Sequence, residues 1–259
     1  MAVSVGTIMT KLFGSRNERL IKRYYRIVDQ INAIEPQIQA KTDAELRART
    51  QELREGIRKG TIKPAEVLPE AFAIMRESMD RHIGIREIFN PDQNFDPDQF
   101  DDHMLQVYDQ VQQRMIATGE SYRQVPIPHE LFDAVRKLYP ESRPPFRARC
   151  FDVQLIGGLV LYEGKIAEMA TGEGKTFVAP LACFMKVLEG MHCHVVTVND
   201  YLVRRDATWV QPAFENLGIT VGYIQQQMDP GGQARKAAYQ CDVTYGINSE
   251  FGLDRKSVV

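Results

Sequence analysis

The run Thr171-Gly172-Glu173-Gly174-Lys175-Thr176 sets two glycines, a lysine and a hydroxyl at a spacing suited to holding phosphate. In such a loop consecutive backbone N–H groups converge on phosphate oxygens at a helix N-terminus, where the helix dipole also favours negative charge. Gly172 and Gly174 allow backbone conformations that a side chain would block. Lys175 can reach β- and γ-phosphates, and the Thr176 hydroxyl can ligate Mg²⁺. The general pattern is G-x-x-x-x-G-K-[ST], and here Met169 stands where its first glycine would be. The expected ligand is ATP with Mg²⁺, and Lys175 and Thr176 are the candidate catalytic residues.

Hydrolysis needs more than binding: an acid to hold Mg²⁺ and a group to orient the attacking water. The apolar run His194-Val195-Val196-Thr197-Val198 ends in Asn199-Asp200. Asp200 reads either as a metal-holding acid or as the cap of the helix that follows. His192 and His194 would share one face of a strand without Cys193, so zinc is not expected there. Asp92, Asn94 and Asp96 mimic the first ligands of a calcium loop, but Pro97 takes the place of the turn glycine and His103 that of the bidentate Glu. That stretch is expected to be a helix-capping acidic turn.

The elements around these residues follow from periodicity. Leu20, Tyr24, Ile27, Ile31 and Ile34 draw an apolar stripe along a helix closed by Pro36. Lys11, Arg16, Arg19, Lys22, Arg23 and Arg26 surround it, so its polar face either lies on an anionic membrane or is simply solvated. Thr42 and Glu45 form a capping box for a second helix through Leu46, Leu53 and Ile57. Pro69 is placed in the first turn of a third, whose stripe is Phe72, Met75, Met79 and Ile83. Residues 86–146 are richer in Asp, Gln, Tyr and Pro, with helices expected through Met104, Tyr108, Val111 and Met115 and through Leu131, Val135 and Leu138. After Cys150 the rhythm alternates. A helix through Val153, Leu155, Ile156 and Leu159 leads to a strand over residues 165–169, the phosphate loop and a helix over 175–188. Strands over 194–198, 220–224 and 243–245 then alternate with helices over 201–217 and 233–239, Gly218 stopping the first. This alternation predicts an α/β fold with a parallel sheet and helices on both faces.

Composition sets the frame. The 259 residues can bury a sizeable core, and 44% hydrophobic with 25% charged residues is ordinary for a globular chain. A net charge of −2 gives no global field for nucleic acid. No apolar run reaches the ~20 residues of a membrane span. The start lacks the pattern of a secretory leader, and Cys150, Cys183, Cys193 and Cys241 are scattered, which points to a cytoplasmic chain.

Several segments together resemble the SecA family of preprotein translocase ATPases. They are Leu12-Phe13-Gly14-Ser15-Arg16-Asn17-Glu18-Arg19, Leu68-Pro69-Glu70-Ala71-Phe72-Ala73, Phe151-Asp152-Val153-Gln154-Leu155-Ile156-Gly157-Gly158, the phosphate-loop run from Ile166 to Thr176, Val195-Val196-Thr197-Val198-Asn199-Asp200-Tyr201-Leu202 and Thr244-Tyr245-Gly246. The resemblance implies a RecA-like motor of the superfamily 2 type. It places residues 1–85 in the motor as an N-terminal helical region, 86–146 as a lineage-specific, mainly helical insertion, and 147–253 as an incomplete first RecA-like lobe. It gives Gln154 the adenine contact with Phe151 nearby, makes Thr171, Gly172, Glu173, Gly174, Lys175 and Thr176 the phosphate ligands, and puts Asn199-Asp200 in a motor motif rather than at the Mg²⁺ acid. Implied partners are the SecY channel, unfolded preproteins and acidic lipids through the basic helix, at the inner face of the cell membrane, with no nucleic acid. The Walker B strand, the second motor lobe, the preprotein-binding domain and the zinc motif of the family are expected outside this chain. The family continues after Glu250-Phe251-Gly252 with an Asp-Tyr-Leu-Arg-Asp-like segment, whereas this chain reads Asp254-Arg255-Lys256-Ser257-Val258-Val259. The codons GAT CGG AAG AGC GTC GTG, which match a sequencing adapter, spell that ending, so residues 254–259 are expected to be a non-native tail. A nucleic-acid helicase of the same superfamily and a nucleotide-binding module without turnover are the alternative readings.

Overall fold

The computed structural model describes the backbone of residues 16–257 and the side chains of residues 19–252. Lys11, most of the first family segment and the side chain of Arg16 lie outside them. Helix α1 (Arg16–Gln39) buries Tyr24, Val28, Ile31 and Ile38 and leaves Arg19, Lys22, Arg23 and Arg26 exposed. Pro36 does not end it: α1 runs on to Gln39, because a proline so near the C-terminus forfeits only one hydrogen bond of the last turns. Helix α2 (Asp43–Arg58) starts on the expected capping box, Glu45 N–H donating to Thr42 Oγ1 and Thr42 N–H donating to Glu45 Oε2. Helix α3 (Pro64–Met79) starts a turn earlier than Pro69 suggests, since Pro64 already holds the first-turn position and Pro69 is carried inside. From Ala71 to Met79 every residue of α3 is buried, which makes it the central helix of the molecule.

A π-turn (Asp80–Gly84) and a 3-10 turn (Ile85–Phe89) lead from α3 into residues 86–146. There α4 (Asp102–Thr118) and α5 (His129–Leu138) pack around an apolar cluster of their own, with Phe89, Tyr108, Val111, Leu131, Phe132 and Val135 at its centre. The acidic stretch is spent on capping: Asp96 accepts from Asp98 N–H, and Asp101 accepts from Met104 N–H and starts α4.

The α/β part consists of α6 (Asp152–Tyr162), α7 (Val178–Leu188), β1 (Cys193–Thr197), α8 (Asp200–Asn216), β2 (Val221–Tyr223), α9 (Gln233–Gln240), β3 (Val243–Ile247) and α10 (Asn248–Ser257). The strands form a parallel sheet in the order β1-β3-β2, with Val195 and Tyr223 both opposite Tyr245. All five residues of β3 are buried, so the sheet is covered on both faces. Val243, Tyr245 and Ile247 enter the main core with Val203, Val210 and Phe214 of α8. On the other face Thr244 Oγ1 donates to Ala238 C=O on α9, and a Cβ on Gly246 would meet the Phe251 ring of α10 at 2.8 Å.

Residues 165–169 form no strand. Ile166 is 96% exposed, and among the described residues no strand lies alongside this segment. Backbone groups become a strand only through a ladder partner. The segment joins α6 to the phosphate loop without regular secondary structure. Below it α6 and α7 pack closely: a Cβ on Gly158 would stand 2.9 Å from Leu181 Cβ and 3.0 Å from the Phe72 ring.

Candidate nucleotide site

The phosphate loop turns through two left-handed glycines, Gly172 at φ 88° and Gly174 at φ 69°. A 3-10 turn (Lys175–Phe177) follows, which passes directly into α7, so the expected helix over 175–188 begins as a tighter turn. Among the described residues no acceptor pairs the N–H groups of residues 172–176. Only Ala170 N–H is taken, by Glu173 Oε2 at 3.0 Å, which closes the loop from within. The Lys175 side chain is exposed and the Thr176 side chain half-buried. Five successive donors at a helix N-terminus, one ammonium and one hydroxyl make a site for a polyphosphate. Phe177 anchors the turn by meeting Trp209 of α8 edge-on, ring centres 4.8 Å apart.

Phe151 and Gln154 stand beside the loop at the start of α6. Phe151 is half exposed, at 51%, which suits a ring against which a base could pack. Gln154 is buried, and its amide already has three backbone partners, the third being a long contact from Nε2 to Gly174 C=O at 3.4 Å. Phe151 N–H donates to Oε1 at 2.8 Å, while Nε2 donates to Glu173 C=O at 2.9 Å. Gln154 therefore joins the start of α6 to the phosphate loop, with one oxygen lone pair left over and one amide hydrogen held only by the long contact to Gly174 C=O.

Asn199 caps α8 by accepting from Leu202 N–H, and Asp200 is its first residue, holding Gln226 N–H at 3.2 Å. The capping role expected of Asp200 thus falls to its neighbour. His192 Nδ1 lies 3.0 Å from Cys241 C=O, and His194 stacks on Phe251 with ring centres 4.6 Å apart. Cys193 turns to the other side, its thiol donating to Cys183 C=O.

The sequence reading missed the charged network under the base end of the site. Arg76, fully buried on α3, donates from Nε to Cys150 C=O at 2.9 Å and from Nη1 to Asn32 Oδ1 at 2.6 Å. Its Nη2 lies 3.4 Å from Asp152 Oδ1, and Arg149 forks onto Glu35 with two contacts of 2.6 Å. Burial lowers the Arg76 pKa from its ordinary value. Burial pushes Glu35 upward, but the hydrogen bonds from Arg149 and the charge of Arg76 outweigh it and hold the carboxyl below its usual range. Burial also lifts the Cys150 thiol to about 12. The signal in the sequence was Arg76-Glu77 directly after the apolar run Ala71–Met75, a place where charges survive only if paired.

A sequence profile of the SecA DEAD-like domain matches residues 9–255. The protein translocase subunit SecA of Coxiella burnetii is 40% identical over 250 residues, covering 96% of this chain and 20% of the relative. That of Nitrosococcus oceani is 38% identical over 250 residues with the same coverage, and that of Ralstonia pickettii 40% over 247 residues, covering 95% and 19%. These spans include residues 86–146. The chain spans about 20% of the length of the curated relatives it matches. It belongs to the SecA DEAD-like domain family.

Proposed function

With that membership as premise, we propose that this chain binds ATP with Mg²⁺ as part of a SecA-type motor. The motor couples hydrolysis to export of unfolded preproteins through the SecY channel, at the inner face of the cell membrane. Among the described residues no helix is long and apolar enough to cross a membrane; the exposed cations of α1 are the contact for acidic lipids. In this reading residues 1–85 serve as the helical region of the motor, 86–146 as a helical subregion, 147–253 as the nucleotide lobe and 254–259 as a tail. The observation that carries the reading is the run of unpaired N–H groups over residues 172–176 beside Lys175 and Thr176.

Thr171, Gly172, Glu173 and Gly174 supply backbone donors to the phosphates, and Lys175 neutralises the β- and γ-oxygens. Among the described residues no group of three or more His, Cys, Asp or Glu could hold a metal. Mg²⁺ on a nucleotide does not need one, because it keeps several waters and takes phosphate oxygens. The Thr176 hydroxyl, which has no hydrogen-bond partner among the described residues, would complete its shell. The ion would spread the negative charge of the phosphates. Phe151 packs on the base, and the remaining hydrogen-bond capacity of Gln154 faces it.

The test is ATP binding by the 259-residue chain. Lys175→Ala should weaken binding by tenfold or more, on the order of a lost charge-assisted contact. A chain that binds no ATP, or a variant that binds it equally well, overturns the reading. Because family motors close a second lobe over the nucleotide, the chain alone should turn ATP over far below the ~10 s⁻¹ of an ordinary enzyme. Turnover near that value would also sink it.

A further inference from the structure

One peptide group beside the site is held from both ends. The unit joining Cys150 to Phe151 presents its carbonyl to Arg76 Nε at 2.9 Å and its N–H to Gln154 Oε1 at 2.8 Å. The far end of the same Gln154 amide donates to Glu173 C=O at 2.9 Å. A single hydrogen-bonded line thus runs from a buried guanidinium, through one peptide and one side-chain amide, to the phosphate loop. Bonds in such a line polarise one another, and a charged donor at its head strengthens each.

We propose that Arg76 is a positioning residue for base recognition, acting through the Cys150–Phe151 peptide to fix which way the Gln154 amide faces. An amide can present its oxygen and nitrogen in either order. Here the order is set because the peptide N–H must meet Oε1, and the peptide cannot rotate while its carbonyl is held by Arg76. The second Nε2 hydrogen, held only by a long 3.4 Å contact to Gly174 C=O that a base can displace, and one Oε1 lone pair then stand in a defined arrangement, a donor beside an acceptor. That pair matches the edge of an adenine, which offers an acceptor beside an amino donor, and opposes the carbonyl of guanine.

Arg76 is itself over-determined. Asn32 Oδ1 accepts from Nη1, Glu35 Oε2 lies 3.5 Å from the same nitrogen, and Asp152 Oδ1 lies 3.4 Å from Nη2. Two of these partners sit on α1 and one on the first turn of α6. The guanidinium therefore locks the turn at residues 150–152 to two helices at once. A lysine in its place keeps the charge but loses the fork that meets several acceptors in one plane.

The inference rests on the proposal that Gln154 and Phe151 meet the base, and the experiment separates the two. Dissociation constants are measured for ATP, GTP and inorganic tripolyphosphate with the unaltered chain and with Arg76→Met, Arg76→Lys and Gln154→Ala. Gln154→Ala should erase the preference for ATP over GTP; if the preference survives it, the base reading itself fails. Arg76→Met should shrink that preference by about tenfold while tripolyphosphate affinity stays within about twofold, and Arg76→Lys should fall between. If Arg76→Met weakens ATP and tripolyphosphate alike, its role is general support of the fold and the inference is overturned. It is overturned too if Gln154→Ala abolishes the preference and the Arg76 variants leave it intact. Should the methionine variant fail to fold, Arg76→Lys and Asn32→Ala carry the same comparison, with a smaller loss of preference expected and an unchanged one decisive against.

Discussion

At the scale of single residues, the phosphate loop is legible in the sequence because its chemistry is local. Two glycines, a lysine and a threonine in six consecutive positions need no distant partner to be recognised. Gln154 is singled out only through the family resemblance, and its bonding could not be read at all, since its partners at Phe151 and Glu173 are brought together only by the packing of α6 beside the loop. Arg76 was illegible for the same reason, its acceptor being 74 positions away along the chain. The two loop glycines differ in their surroundings, which spacing along the chain does not reveal. A Cβ on Gly172 would meet nothing within 4 Å, whereas one on Gly174 would stand 2.5 Å from Gln154 Nε2. Both have positive φ, so alanine at either carries roughly 1–2 kcal/mol of backbone strain. Gly174→Ala must also push the Gln154 amide off Glu173. Thermal unfolding should show a similar cost for the two variants, with ATP affinity falling about tenfold further for Gly174→Ala. Equal ATP affinities would mean that the Gln154 contact does not shape the loop.

Elements were legible where their period is short and their packing one-sided. The helices α1, α2, α4, α5 and α8 follow their apolar stripes, and capping chemistry placed the start of α2 within a residue. Boundaries set by Pro36 and Pro69 went wrong because a proline near a helix end removes too little to stop a helix whose stripe is buried. The helices are joined by charges that no stripe announces: α1, α2, α3 and the π-turn after α3 meet through Glu35, Asp43, Arg76, Arg81 and His82. This network gives stability a definite pH dependence. Burial lowers His82 below its ordinary 6.5, so the unfolded chain takes up that proton first and stability is lost as pH falls below this value. Burial opposes the ionised forms of Glu35 and Asp43, but their arginine and histidine partners win and hold both carboxyls low. Their contribution is present above the unfolded values of 4.5 and 3.8 and is lost as pH falls through the folded ones. Urea midpoints should therefore fall from about pH 7 downward, through His82 above about pH 4.5 and through the two carboxyls below it. Glu35→Gln should lower the midpoint at neutral pH and flatten the acid part of the curve. An unchanged slope in that variant would remove Glu35 from the account.

On the scale of the whole molecule, the sheet is where sequence and structure part. Strands 193–197, 221–223 and 243–247 form because each finds a neighbour within the chain, β3 lying between the other two. Residues 165–169 are expected as a strand from their place between a helix and the phosphate loop, yet pairing is decided between segments and not within one. Among the described residues its N–H groups find one backbone partner, Lys165 N–H donating to Val160 C=O, and Ile166 stands 96% in solvent. The most chemically committed loop of the chain is therefore reached through one of its least supported backbone stretches. Hydrogen exchange on the 259-residue chain should make the contrast measurable. Amides of residues 166–169 should exchange at nearly the rate of an unstructured peptide, while those of β3, buried and bonded on both sides, should be slowed by several orders of magnitude. Adding ATP with Mg²⁺ should slow the amides of residues 172–176, which gain phosphate acceptors, and leave residues 166–169 largely as they were. Strong protection at Ile166 in the nucleotide-free chain would mean that the segment has a strand partner after all, and the order β1-β3-β2 would have to be extended by a further strand.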